Sequence, residues 1–433
     1  MGKDSKAVLQ KGHQSDSWMI RGGKRALHLR ARPISHAENG QRSVPLEETV
    51  QSIERFFLKS PIEAQFTFFG KRPGGVNRAV IKYHSPGDPS EDKHYFGKGL
   101  TVGQNIASAS FELFERLCGR MSPDDMIQEA SFDEVSGRAV DPRIFHLGKS
   151  AFDPAAKIDW IWSYSLTRRI PVLVPANLVF LPYQPDRAEK NIVISDSNGL
   201  ASGNNMEEAI LHALLEVIER DQVNISEYNR FPYQRIAPES APAVCRPWMK
   251  HLDEKGFDVR MLSGYSDLPV PFMAAFLQHR KVRSRCAVAY GTHIDPTIAF
   301  ERALTEAVQM LPPSGNHKAW LKSGAPEFFQ SEFPEEIQFD SAINVASTDI
   351  RENIEQCVSI LKGIGSEVFV VDLSRQDIPF PAARVLVSRL QPRLNEDSLR
   401  FSDRFFEVPV KLGFRDEPQS ISDVKLWMIC GYR

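Results

Sequence analysis

Three segments of this chain repeat oxygen-bearing side chains at one spacing. The first, GKGLTVGQNIASASFELFERL, carries Glu112, Glu115 and Arg116. The second, SNGLASGNNMEEAILHALLEVIERD, carries Glu216, Glu219 and Arg220. The third, GTHIDPTIAFERALTEAVQ, carries Glu306 and Gln309. Each follows a glycine near a turn, and residues three apart share one face of a helix. In the second segment the run AILHALLEVI is apolar nearly all round, the pattern of a buried helix. An unpaired carboxylate there costs several kcal/mol, so arginines or a cation must compensate. Carboxylates gathered from separate helices suit a hard cation such as Mg2+, which keeps waters or phosphate oxygens in its shell. Four or five glutamates can hold more than one ion, an arrangement suited to phosphoryl transfer. An isolated E-x-x-E-R is more often a solvated face with intrahelical ion pairs. The threefold recurrence on apolar helices is what favours a shared site. Spacing alone does not name ATP.

Other chemistry-bearing residues are less specific. No Walker A pattern occurs, and the spacing around Lys98 in GKG is not one. Lys98 can meet phosphate or pair with a nearby carboxylate. NGLASGN at 198–204 can offer backbone N–H groups to an anion at the helix start. It reads equally as a tight turn with Asn204 or Asn205 as cap. His212 and His293 are acid–base candidates by type. His212 lies on an apolar helix and reads as a satisfied core histidine. Lys281, Arg283 and Arg285 form a basic turn, read as a solvated face. The five cysteines (Cys118, Cys245, Cys286, Cys357 and Cys430) are scattered without C-x-x-C spacing, against a zinc site or disulfide framework. Trp160, Trp162, Trp248 and Trp320 read as core or interface.

The elements that must position these groups follow from periodicity and breakers. Helices are expected at 46–57, 102–120, 206–227, 248–255, 296–310 and 349–363. Strands are expected at 64–69, 78–83, 158–164, 170–175, 192–194, 257–262, 271–278, 287–290, 367–372 and 426–430. Residues 85–92 read as a polar loop, 182–190 as a polar connection, and 312–334 as loop-rich, a candidate lid. Helices and strands mix without strict βαβ alternation, which points to an α/β (mixed α+β) fold.

The chain has 433 residues, 42% hydrophobic and 25% charged, with a formal net charge of -2. That is the composition of a globular protein with a sizeable core. The near-neutral charge argues against nucleic acid or an anionic membrane as partner. No run is long enough to span a bilayer, and the N-terminus lacks a secretory h-region. A reducing cytoplasm is expected. The first ~25 residues read as a tail.

The three blocks together resemble, in order, the nucleotide-binding motifs of the YcaO family, with residues 1–39 as tail and lead-in and 40–433 as the family domain. The blocks lie near 97–120, 195–221 and 290–310. The resemblance implies an ATP-binding fold of repeated helix-on-sheet units, neither Rossmann nor P-loop, using ATP and Mg2+. It implies metal ligation by Glu112, Glu115, Glu216, Glu219 and Glu306, with Glu216, Glu219 and Arg302 in the catalytic set. ATP contacts then fall to Arg42, Thr49, Lys98, Ser108, Glu115, Asn204, Arg302 and Gln309. Family members phosphorylate a peptide amide oxygen, after which a nucleophile adds and phosphate leaves. The implied function is azoline formation in a ribosomally made peptide. Thioamidation with a TfuA-like partner is the alternative, and a non-catalytic nucleotide-binding docking protein the alternative of another class. A precursor peptide or protein is the expected substrate, with a ThiF-like or TfuA-like partner and a homodimer. The ending VKLWMICGYR departs from the proline-rich tail of many azoline formers, which points to thioamide or amidine products or to a ring former of unusual type.

Overall fold

A computed structural model describes residues 23–24, 26–35, 41–60, 64–69, 78–85, 88–122, 125–147, 152–283, 285–311, 336–394, 399–421 and 424. The expected N-terminal tail before residue 23, the candidate lid at 312–334 and the strand at 426–430 lie outside these residues. In chain order the elements are α1 (Leu46–Lys59), β1 (Ala64–Phe69), β2 (Arg78–Ser85), β3 (Asp88–Phe96), α2 (Val102–Cys118), β4 (Gln128–Ser131) and the one-turn α3 (Phe132–Val135). Then come β5 (Lys157–Ser165), β6 (Ile170–Pro175), β7 (Leu200–Ser202), α4 (Met206–Asn229), β8 (Tyr233–Ile236), α5 (Arg246–Glu254), β9 (Phe257–Gly264), β10 (Phe272–His279) and β11 (Cys286–Thr292). The chain continues through α6 (Pro296–Met310), β12 (Glu336–Ile337), α7 (Ile350–Gly363), β13 (Val368–Asp372), β14 (Ala382–Val387) and α8 (Asp403–Lys411).

Among the described residues the strands form three sheets: β1-β2-β3, then β11-β10-β9-β8-β12, then β4-β5-β13-β14-β7 with β6 on β5. Helices cover their faces by the two-residue alternation of strand side chains. On β13, Val368 and Val370 belong to the core cluster that α4 fills with Ile210, Leu214 and Ile218. Phe369 and Val371 point the other way, into the core that α2 fills with Phe111, Leu113 and Phe114. On β10, Met273, Ala275 and Leu277 pack with Ala299, Phe300 and Ala303 of α6. Phe272, Ala274 and Phe276 share a cluster with Val223 of α4. Thus α2 and α4 flank one sheet, and α4 and α6 flank the next.

The helix starts are specified locally. Thr101 caps α2 in a reciprocal box with Gln104, Asn205 accepts from the Glu208 N–H, and Asp295 accepts from Thr297 ahead of Pro296. Two glycines let a helix close on its strand. A Cβ at Gly97 would meet the Asn105 carbonyl oxygen at 1.8 Å, and one at Gly291 the Ala299 carbonyl oxygen at 2.2 Å. Both contacts lie eight residues on (105 − 97 = 299 − 291), so the sequence repeat is also a repeat of packing.

Three sequence expectations need correction. Residues from Asp88 belong to β3 and not to a loop, because Ser85↔Asp88 is the first pair of the β2–β3 ladder and backbone pairing overrides their polarity. Residues 192–194 form no strand, since no ladder partner lies beside them despite their apolar types. The short β7 was not anticipated, and neither were β4, β8, β14 and α8; β7 is defined only by its pairing with β14. Cys118, Cys245, Cys286 and Cys357 are buried, as expected of incidental thiols.

Candidate active site

Helix α4 is buried almost throughout. Between Met206 and Ser226 only His212, Glu216 and Arg220 escape burial, at four-residue steps that align them on one face. On α2 the half-buried stripe is Ser108, Glu112, Glu115 and Arg116, and on α6 it is Arg302, Glu306 and Gln309. Each of the three helices thus leaves a line of polar groups open, and these lines contain most of the residues singled out in the sequence.

Hydrogen bonds tie the lines into a ring. The Ser202 N–H, from the strand leading into α4, donates to Glu115 on α2 at 3.2 Å. The Thr292 N–H, from the strand leading into α6, donates to Glu219 on α4 at 2.9 Å. Gln309 on α6 closes the circuit by donating its side-chain amide to the Phe96 carbonyl, on the strand leading towards α2, at 3.2 Å. The third helix carries an amide at this place because its partner is an acceptor, which a carboxylate could not satisfy. The other carboxylate of each pair is held nearby. Glu112 accepts from the Phe96 N–H at 3.1 Å and Glu216 from the Gly199 N–H at 3.3 Å. Glu306 meets Lys98 Nζ at 2.6 Å. The open alternative at Lys98 resolves in this state to a carboxylate pair. Arg220 lies 3.6 Å from Glu216 and Arg116 lies 3.9 Å from Glu112.

The electrostatics are those of carboxylates short of cations. Burial, reinforced by Glu216, pushes Glu115 up to about 8. Burial also raises Glu112 and Glu219. Burial opposes ionisation of Glu306 too, but Lys98 and the neighbouring arginines outweigh it and hold this carboxyl below its usual range. Burial, then Arg302, keeps His212 well below its ordinary value, and His293 falls to about 3 for the same reasons. The Arg302 Nε–H is buried without a hydrogen-bond partner. Protonatable carboxylates beside an orphaned guanidinium donor fit a site completed by a metal–nucleotide. Among the described residues no three His, Cys, Asp or Glu side chains form a ready-made metal cage. Mg2+ needs only one or two protein carboxylates beside water and phosphate oxygens, so the donor set still suits it.

A second cluster lies at the N-terminus of α4. Glu208 accepts from the Ser43 N–H at 3.0 Å, from Ser43 Oγ at 2.8 Å, and from the Asn204 N–H and side chain at 3.2 and 2.9 Å. Arg42 reaches it at 3.4 Å. Thr49 donates to Asn204 at 2.9 Å. The structure therefore brings Arg42, Thr49 and Asn204 together around a glutamate that the sequence reading missed. Its signal was an acidic pair, Glu207 and Glu208, in the first turn of an apolar helix. Glu207 holds the same N-terminal segment through the Arg30 N–H at 2.8 Å and Arg32 at 3.1 Å. Gln41 joins the segment to the α6 cap, donating to Asp295 at 2.9 Å. The basic turn at 281–285 has no contact with this site among the described residues. His212, expected to be a core residue, instead stands in the open line of α4.

Comparison with known proteins follows the same blocks. A family model described as YcaO cyclodehydratase, ATP- and Mg2+-binding, matches residues 96–391. The chain is 32% identical over 318 residues to an uncharacterized protein of Methanothermobacter thermautotrophicus, covering 69% of this chain and 81% of that protein. It is 28% identical over 226 residues to a Rhizobium leguminosarum bv. trifolii protein described by its place in the tfuA 3′ region, covering 49% and 53%. Among solved structures it resembles a heterocyclase in complex with substrate and cofactor, with TM-score 0.82 and 26% identity over 94% of this chain. The match spans only 59% of that heterocyclase's length. In fold it also resembles YcaO from Methanopyrus kandleri bound with AMPPCP and Mg2+, with TM-score 0.68 and 24% identity, covering 85% of this chain and 99% of that one.

Proposed function

The chain belongs to the YcaO family, whose cofactors are ATP and Mg2+, and on that premise we propose that it activates backbone amides of a ribosomally made peptide by O-phosphorylation. The observation that carries this reading is the ring of carboxylate lines on α2, α4 and α6, closed by Glu115, Glu219 and Gln309.

In this reading Glu112, Glu115, Glu216, Glu219 and Glu306 hold Mg2+. The bound ion offsets the negative charge of the phosphates and of the group in transfer. Arg302 offers its free donor to phosphate, and Lys98 neutralises Glu306 until nucleotide arrives. Arg42, Thr49 and Asn204, gathered on Glu208, serve the nucleotide from the N-terminal side, and Ser108 does so from α2. The amide oxygen attacks the γ-phosphorus, ADP leaves, and the amide carbon becomes open to addition. A Cys thiol or Ser or Thr hydroxyl then adds to that carbon. Phosphate departs with the former amide oxygen, and loss of the nitrogen proton leaves the C=N of an azoline. Fixed charges stabilise these steps, and no covalent enzyme intermediate is needed.

Backbone thioamidation, with sulfide as the nucleophile and a TfuA-like partner, is the second reading. It is favoured by the relative named for its place beside tfuA. A ThiF-like leader-binding partner accompanies the first reading. Incubation with ATP, Mg2+ and a Cys/Ser/Thr-rich precursor peptide labelled with 18O at its amides tests the shared step. Label in the released phosphate supports amide phosphorylation. ATP turnover stimulated by peptide but releasing only unlabelled phosphate contradicts it. Absence of turnover with a modified peptide's own precursor favours the docking role. Loss of water from the peptide marks an azoline, and exchange of oxygen for sulfur marks a thioamide.

A further inference from the structure

The three polar lines have equivalent leading positions. Ser108, His212 and Arg302 each stand four residues before the leading glutamate of their polar line, Glu112, Glu216 and Glu306 (112 − 108 = 216 − 212 = 306 − 302). Ser108 and Arg302 are already placed at nucleotide, whereas no role attaches to His212. Its side chain is half-buried on the open face of α4 while its helix neighbours are enclosed. Its Nε2 lies 3.4 Å from Nη1 of Arg302. A guanidinium has only donors, so Nε2 must accept and the ring must be neutral with its proton on Nδ1. Arg302, Arg42, Lys98 and His293 face the ring and all oppose its protonation, in agreement with that tautomer.

We propose that His212 is a positioning residue for Arg302: by accepting from Nη1 it turns the guanidinium so that the unpartnered Nε–H faces the nucleotide phosphates. This rests on the reading that Arg302 meets phosphate. A guanidinium beside Glu219 and Glu306 otherwise has carboxylates to fold onto, and both are among the charges that act with it. A neutral acceptor holds it without cancelling its charge, which an aspartate or glutamate at 212 would do.

The test is calorimetric binding of Mg·AMPPCP to wild type, His212→Ala, His212→Gln, His212→Asn, Arg302→Met and the His212→Ala/Arg302→Met double variant, with melting temperatures and the ATP kcat and KM in parallel. A glutamine side-chain oxygen can take the place of Nε2, whereas that of asparagine falls nearer Nδ1. His212→Ala and His212→Asn are expected to weaken analogue binding ~10-fold or more, by loss of a charge-assisted hydrogen bond. His212→Gln is expected to restore most of it, and ATP KM is expected to move more than kcat. The double variant should bind no more weakly than Arg302→Met, as coupling requires. Should the alanine variant not fold, the glutamine–asparagine contrast still decides. Losses that multiply in the double variant, or wild-type binding by His212→Asn beside a failed Arg302→Met, overturn the role of His212 and leave Arg302 standing. Wild-type binding by Arg302→Met overturns the phosphate reading beneath it.

Discussion

Replacing Glu115 by glutamine should move stability and activity in opposite directions. The carboxyl has an ordinary value of 4.5 and is pushed up to about 8, by burial first and Glu216 second. Between those values the folded chain binds more protons than the unfolded chain, so stability falls as pH rises through this window. Below pH 4.5 the wild type loses nothing. From 4.5 to 7 is 2.5 pH units, which at ~1.4 kcal/mol each gives an upper limit of ~3.5 kcal/mol. Glu115 is not fully enclosed, so solvent screening leaves about 1–2 kcal/mol. Glutamine keeps the shape but carries no charge. Urea unfolding of the ligand-free protein should show Glu115→Gln level with wild type near pH 4.5 and more stable by about 1–2 kcal/mol at pH 7, with the gain growing towards pH 8. Mg2+- and ATP-dependent turnover by the same variant should fall by two or more orders of magnitude, by roughly the loss expected for a group that acts on the reacting charge. A variant destabilised equally at every pH would show that the buried carboxylate is not the strained group described above.

Binding of Mg·AMPPCP at pH 7 should release close to one proton, because a carboxyl at about 8 is roughly nine-tenths protonated before the cation arrives. The dependence of calorimetric enthalpy on buffer ionisation reads this release, and the glutamine variant should remove the Glu115 share of it. Glu208→Ala unhooks Arg42, Ser43 and Asn204 and should raise the ATP KM about tenfold with a smaller change in kcat. An unchanged KM would detach the N-terminal segment from nucleotide. Arg404 joins Asp221 of α4 at 2.7 Å to Asp267 at 2.8 Å. Both carboxylates are buried, so Arg404→Met should cost about 3 kcal/mol in urea unfolding. A neutral substitution would show that α4 is anchored by packing alone.

The helices that bear the site were readable because each carries its own instructions. Asn205 and Asp295 cap α4 and α6, and Pro296 starts the latter. The three Glu-bearing blocks are visible as a repeat, and the structure aligns them as three open lines. What could not be read is pairing across long sequence separations. Gln309 donates to Phe96 at a separation of 213 residues, and nothing local to either residue signals it. Glu208 looked like an ordinary first-turn acid until its partners 166 residues away were placed beside it. β7 is a strand only because β14 lies against it. The leading part of β3 looked like a loop because its polar residues gave no alternation to detect. The helix α8 contains Pro409, which local rules take as a breaker, although its packing through Phe405 and Val408 holds it. His212 was misassigned because an apolar helix context says nothing about which face is left open.

A crystal of the protein grown with Mn2+ in place of Mg2+ and with AMPPCP gives the most direct test, through anomalous scattering from the metal. Peaks are expected among Glu112, Glu115, Glu216, Glu219 and Glu306, with the nucleotide phosphates within reach of Arg302 and Lys98. Metal bound elsewhere on the surface, with these five carboxylates and Gln309 still on the backbone groups and Lys98 that hold them here, would contradict a shared magnesium–nucleotide site on the three helices.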